Sequence, residues 1–173
     1  MRSERREVAA FFGALCLFFA TIEYLFPRPV PFLRLGLSNL PILLALDLLP
    51  VRSLALITAV KVFGQGLLNG TFASYVFLFS LAGSAASTAV MVAAHRLGRG
   101  QISLVGVSLL GSLASNTVQV ALSILLIFGR NATVIAPLFL GVGTLSGLAM
   151  GLFAAAFAGR SRWYQGVRAS LAA

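Results

Sequence analysis

Apolar residues run along this chain in six long blocks, each closed by a short cluster of proline, glycine, asparagine or arginine. The blocks cover roughly residues 7–26, 36–50, 52–69, 71–95, 101–129 and 132–159. Between them stand Pro27-Arg-Pro-Val-Pro31, Leu49-Pro50, Asn69-Gly70-Thr71, His95-Arg-Leu-Gly-Arg-Gly100 and Gly129-Arg-Asn131, which are turn and helix-end signals. Crossing a bilayer takes about 20 apolar residues, so the pattern predicts membrane-spanning helices. The expected architecture is an all-α, polytopic six-transmembrane-helix bundle forming a single integral membrane domain over residues 1–173. The second block is short, and a helix there either tilts little or breaks within the membrane.

The polar positions inside these blocks are few and arranged. Lys61 is the chain's single lysine, and the nearest flanking charge, Arg52, is nine residues away. At 1.5 Å of rise per residue the lysine lies roughly 13 Å from the helix end. A charge that deep costs at least about 2.5–3.5 kcal/mol on insertion scales, which favours a functional role over an accidental one. Gln65 and Asn69 follow Lys61 in steps of four and share its face, and Asn116 and Gln119 pair in the same way at a step of three. Asn39 lies early in the second block, five residues after Arg34, and Glu23 closes the first. If these faces converge, they form a polar pocket in the outer half of the bundle.

Each of these residues also has a plainer reading. Arg34 could snorkel to lipid headgroups. Glu23 could be a structural ion-pair partner of Arg34 or Lys61. Asn116 and Gln119 could bond neighbouring helices. Asp47, near Arg52, reads as a solvated inner-face residue, and His95 beside Arg96 reads as surface.

Composition agrees with a membrane class: 59% of residues are apolar and 10% charged, with a mean hydropathy of +0.98. Thirteen basic residues against four acidic give a net charge of +9. In a soluble protein that excess would suggest nucleic acid, but here the arginines stand at helix ends. With both termini inside, the inner face collects Arg2, Arg5, Arg6, Arg52, Arg96, Arg99, Arg160, Arg162 and Arg168, and the outer face Arg28, Arg34 and Arg130. This asymmetry orients the chain with cytoplasmic termini and removes the case for a nucleic-acid partner. The first apolar block is long, lacks a small-residue cleavage site and is followed by five more, which reads as a span and not a signal peptide. Cys16, the lone cysteine, reads as a small buried hydrophobe.

Small residues supply helix-packing signals. Gly143, Gly147 and Gly151 recur every four residues, with Ala155 and Gly159 continuing the stripe, and Ser80, Ser84 and Thr88 form another. Both read as contacts within the bundle. Ala10 and Ala14 make a small-xxx-small pair in the first helix, either another internal contact or an exposed face for docking a partner membrane subunit.

With one histidine, one cysteine and four acids, the chain offers no metal-ligand cluster. It has no Walker-type loop, hence no ATPase of its own, and no credible Ser/His/Asp set. The expectation is a protein that is not an enzyme, with no catalytic residues, no metal and no cofactor.

Phe32-Leu-Arg-Leu-Gly-Leu-Ser-Asn-Leu-Pro41, preceded by Thr21-Ile-Glu-Tyr24, resembles a family of small bacterial membrane proteins called Gx transporters, also labelled heptaprenyl diphosphate synthase component I. The likeness continues through Asn69-Gly-Thr-Phe72, Ser80-Leu-Ala-Gly83, Val105-Gly-Val-Ser108 and Ser115-Asn-Thr-Val-Gln119. That family is similar to the substrate-binding S components of energy-coupling factor (ECF) vitamin transporters. The resemblance implies six helices, cytoplasmic termini in a bacterial inner membrane and a ligand pocket near the outer face. It also implies a lid at Pro27 to Leu33, a protein that topples in the membrane to release its ligand, and docking of Ala10 and Ala14 on a transmembrane coupling subunit driven by ATPases. The synthase label conflicts with the chemistry of the chain. Prenyl diphosphate synthases hold magnesium with aspartate-rich motifs, and this chain has one aspartate, Asp47.

The leading functional reading is therefore an S-component-like subunit that captures a small organic anion, whether vitamin-, flavin- or isoprenoid-precursor-like. Lys61 and Arg34 would supply charge, Asn39, Gln65, Asn69, Asn116 and Gln119 hydrogen bonds, and Glu23 a counter-ion or loop latch. The alternative is a non-catalytic membrane accessory subunit in isoprenoid, quinone or redox metabolism. A stand-alone carrier ranks last, because it would want a coupling carboxylate near mid-membrane and Glu23 lies too near the surface.

Overall fold

The computed structural model describes residues 2–25, 36–72, 74–98 and 100–172. Among them the fold is entirely helical: α1 (Arg2–Leu25), α2 (Leu40–Ala45), α3 (Val51–Leu68), α4 (Tyr75–Leu97), α5 (Leu104–Ser123), α6 (Ala132–Arg160) and α7 (Arg162–Ala172). Among the described residues five stretches are long and apolar enough to cross a membrane, namely Glu4–Leu25, Val51–Leu68, Tyr75–Leu97, Leu104–Phe128 and Thr133–Arg160. The chain is a multi-pass membrane protein. Large side chains such as Phe18, Leu56, Leu67, Leu125 and Phe153 point outward, as they do where the surrounding solvent is hydrocarbon.

The expected count of six spans is not met among the described residues. The block at 36–50 forms a single 3₁₀ turn at Leu37–Asn39, the six-residue α2 and further turns to Leu49. Two prolines bracket it: Pro41 fits the first turn of α2, and Pro50 is the N-cap of α3. Leu40 to Leu46, Leu48 and Leu49 are all buried, so the segment is a central plug surrounded by α1, α3, α5 and α6. Burial inside protein lets such broken backbone exist at membrane depth.

The seventh helix, α7, was not expected. It lies across the end of the bundle where α6 finishes, with Tyr164 and Leu171 buried beneath it. The Tyr164 hydroxyl donates to the Leu44 carbonyl at 2.8 Å and so ties α7 to the plug. On its outer side Trp163 packs on Phe11, with ring centroids 5.2 Å apart.

Glycines set the closest helix approach. A Cβ on Gly147 would lie 2.2 Å from Ser112 Oγ, and one on Gly151 would lie 2.7 Å from the Val105 Cα. The 143–147–151 stripe therefore packs α6 on α5, as its spacing suggested, while Gly159 beyond it meets nothing. The far end of α5 widens into a π-helical turn at Ile124–Phe128, which Gly129 ends at φ +56°.

Candidate functional site

Four elements bring polar side chains to one point inside the bundle. From α3 come Lys61 and Gln65, whose spacing of four puts both on the buried face, at 1% and 2% exposure. The turn ahead of α2 supplies Ser38 and Asn39, and α4 supplies Ser80 and Ser84. Ser112, Ser115, Asn116 and Gln119 come from α5, and Gly143 of α6 closes the far wall. A second cavity adjoins this one and shares Gly36, Asn39 and Ser112, with Ser87 and Ser108 extending the line of hydroxyls. Each cavity has a volume of about 30 Å³, the size of one water molecule.

Within this cluster the Lys61 ammonium donates to Asn39 Oδ1. The amide of Asn39 reaches Ser87 Oγ at 3.5 Å, and Ser80 Oγ reaches Gln65 Oε1 at the same distance. Gln119 Nε2 donates to Ser115 Oγ at 3.1 Å, while its Oε1 is buried and lacks a hydrogen-bond partner among the described residues. Leaving a buried acceptor unmade costs about 1–3 kcal/mol, so Gln119 Oε1 is a ready acceptor for a donor entering the cavity. Gly143 is a glycine for the sake of the site: a Cβ there would stand 1.6 Å from Asn116 Nδ2.

Glu23, near the end of α1, is buried at 2% exposure. Its Oε1 accepts from the Gly36 amide at 2.8 Å, and its Oε2 from the Ser38 hydroxyl at 3.3 Å. Gly36 holds φ +78°, a left-handed conformation that glycine adopts without steric cost. The carboxylate thus ties the end of α1 to the segment that carries Ser38 and Asn39.

Of the residues singled out in the sequence, Lys61, Asn39, Asn116 and Gln119 line one cavity, and Gln65 and Glu23 bond to residues that line it. Asn69 does not join them. Helix α3 stops at Leu68, and Asn69 caps it in the turn to α4, so the step of four no longer holds its direction. Arg34 and the segment Pro27 to Leu33 lie outside the described residues. The serines were underestimated: Ser80 and Ser84 read as packing but line the cavity with Ser112 and Ser115. Their recurrence at 80, 84, 87 and at 108, 112, 115 was the available signal, since a run of hydroxyls on one face of two spans has a common target.

The larger clefts carry different chemistry. An apolar groove of about 390 Å³ between α3 and α4 has no charge along it, and its threonines, Thr58 and Thr88, bond to each other at 3.0 Å. A second groove of about 620 Å³ runs between α1 and α3 and exposes Ala10 and Ala14 beside Gly13, Leu56 and Val60. Among the described residues no group of His, Cys, Asp and Glu could hold a metal ion.

Among known protein families, the one described as heptaprenyl diphosphate synthase component I matches the chain over residues 12–157. No curated protein and no solved structure matches the chain.

Proposed function

The chain belongs to the heptaprenyl diphosphate synthase component I family, and on that premise we propose that it is a substrate-binding membrane subunit of an ECF-type transporter. In this reading it is not an enzyme, and it captures a small organic anion in the hydroxyl-lined cavity. The observation that carries the proposal is Lys61, a cation buried in mid-span among Ser38, Asn39, Ser80, Ser84, Asn116 and Gln119. A single buried ammonium selects an anionic group and penalises cationic ligands, and the surrounding amides and hydroxyls suit a ligand rich in polar atoms. Vitamin-like, flavin-like and isoprenoid-precursor anions all meet that description. The one aspartate, Asp47, cannot build the magnesium sites that prenyl diphosphate chemistry needs.

Pockets for drug-sized ligands measure about 300–1,000 Å³, so binding requires these small cavities to expand. The segment Gly36–Asn39 is the movable wall in this reading, and Glu23 is its latch. The plug around α2 takes the place of the sixth S-component helix. The arginine asymmetry supports cytoplasmic termini in a bacterial inner membrane, with the cavity toward the outer face. The groove beside Ala10 and Ala14 is the face on which a coupling subunit with its ATPases would dock.

Native mass spectrometry of gently purified protein, with its small-molecule extract identified, tests the proposal. A stoichiometric anionic metabolite supports it. A spectrum without one, unchanged across vitamins and diphosphates, favours the second reading: a non-catalytic accessory subunit. The small cavity volume favours that alternative, as does the family's description.

A further inference from the structure

At the opposite end of the bundle from Glu23 lies a cleft of about 570 Å³ that the transport reading leaves unused. It opens where α1 begins and α4 ends, the level at which a span meets the membrane surface. Its polar rim is Arg5, His95, Arg96 and Asp47, and its floor includes Leu46, Leu49 and Leu171, all buried.

The charges in this cleft are unequal. Asp47 is engaged twice, by His95 Nε2 at 3.1 Å and by Arg168 Nη2 at 3.9 Å. Arg5 and Arg96 have no carboxylate within ion-pair distance among the described residues. Arg5 donates from Nη2 to the Leu171 carbonyl at 3.3 Å, while its Nε is buried with no hydrogen-bond partner among the described residues. A buried guanidinium donor without an acceptor is costly, and the geometry that best satisfies it is a bidentate oxyanion.

We propose that this cleft binds a phosphate group through Arg5 and Arg96, at a site separate from the Lys61 cavity. Guanidinium groups match phosphate oxygens with paired donors, which lysine does not. The chemistry is shared by the headgroup of an anionic phospholipid and by a soluble phosphate ester. The leucine floor at interface depth favours the lipid, because it offers carbon to a glycerol backbone below the phosphate. The proposal stands independently of what the Lys61 cavity holds.

The test compares wild type, Arg96→Gln and the double variant Arg5→Gln/Arg96→Gln. Arg162→Gln serves as a control on the same face but outside the cleft. Each is reconstituted in phosphatidylcholine nanodiscs with and without phosphatidylglycerol, and separately with inorganic phosphate added to phosphatidylcholine alone. Arg96 is exposed, so its single variant keeps the fold and reports on the site even if the double variant is unstable. The expected result is a phosphatidylglycerol-dependent rise in Tm and a retained lipid adduct in native mass spectra. Both should weaken at least about tenfold in Arg96→Gln and persist in Arg162→Gln. A Tm rise with inorganic phosphate, lost in the same variants, assigns the cleft to a soluble ester. Equal loss in Arg162→Gln, or no response to either probe, overturns the proposal in favour of diffuse attraction between a basic surface and anionic lipid.

Discussion

Replacing Lys61 with methionine separates ligand capture from structural support. Methionine keeps nearly the same aliphatic length, so it leaves little void at a position that is 1% exposed. Two effects of opposite sign act on the ligand-free protein. Losing the donor to Asn39 Oδ1 removes a charge-assisted hydrogen bond worth about 1.5–3 kcal/mol. Removing a buried ammonium also relieves a desolvation cost of several kcal/mol. The sum lies within about 2 kcal/mol of zero, or within roughly 4–8 °C in Tm for a chain of this size. The effect on a bound anion is one-sided. At 4 Å and an effective dielectric constant near 20, the lost attraction is about 4 kcal/mol, close to a thousandfold in affinity. The assay is paired: thermal unfolding in detergent, and retention of the co-purified metabolite measured by native mass spectrometry. Near-wild-type Tm with the metabolite gone is the expected result. A variant that keeps the metabolite at wild-type stoichiometry refutes the assignment of Lys61 as its partner, and a collapse in Tm makes the lysine structural.

Three further outcomes are expected. Glu23→Gln keeps the shape of the latch but removes its charge from the Gly36 and Ser38 donors, so ligand release should quicken about tenfold in stopped-flow measurements while Tm changes little. Gly151→Ala drives a Cβ against the Val105 backbone and should cost about 1–3 kcal/mol, whereas Gly141→Ala, which meets nothing within 4 Å, should be neutral or slightly stabilising in the same unfolding assay. Burial, reinforced by the nearby Asp47 carboxylate, pushes the Tyr164 hydroxyl up to about 12. The contribution of Tyr164 to stability should therefore be constant below pH 10, where the phenol is protonated folded or unfolded, and should decline as pH rises from about 10 to 12. Tyr164→Phe should abolish that alkaline decline in a Tm–pH series while lowering stability at neutral pH by about 1 kcal/mol through the lost hydrogen bond.

Hydropathy made the five long helices legible, because spanning length and turn punctuation are properties of the chain itself. The failure at 36–50 was also foreshadowed: fifteen residues between proline-rich ends cannot span as one helix. Lys61, Gln65, Asn116 and Gln119 could be found because polar groups in apolar helices are rare and their spacing fixes a shared face. Which faces meet depends on tertiary packing, and the serines were misread for that reason, since a small hydroxyl serves a helix contact and a cavity wall equally well. Asn69 failed at an element end, where one residue of fraying changes a side chain's direction. Helix α7 was missed because eleven residues fall below spanning length, although Tyr164, Val167 and Leu171 fall on one amphipathic stripe.

The hydrogen bond from Tyr164 to Leu44 joins residues 120 positions apart, and it bears on how the protein is made. The plug is synthesised early, yet it packs against α5 and α6, and its Leu44 carbonyl is satisfied from α7. A ribosome delivers α5 only after Leu104 is reached, and α7 only after Arg162. Until then the segment from Leu40 to Leu49 has no complete protein shell, and its broken backbone is poorly suited to bare lipid. Insertion and final assembly are therefore separate events: α1, α3 and α4 enter the bilayer as helices, and the plug is sealed in place only when the distal third of the chain arrives to close over it.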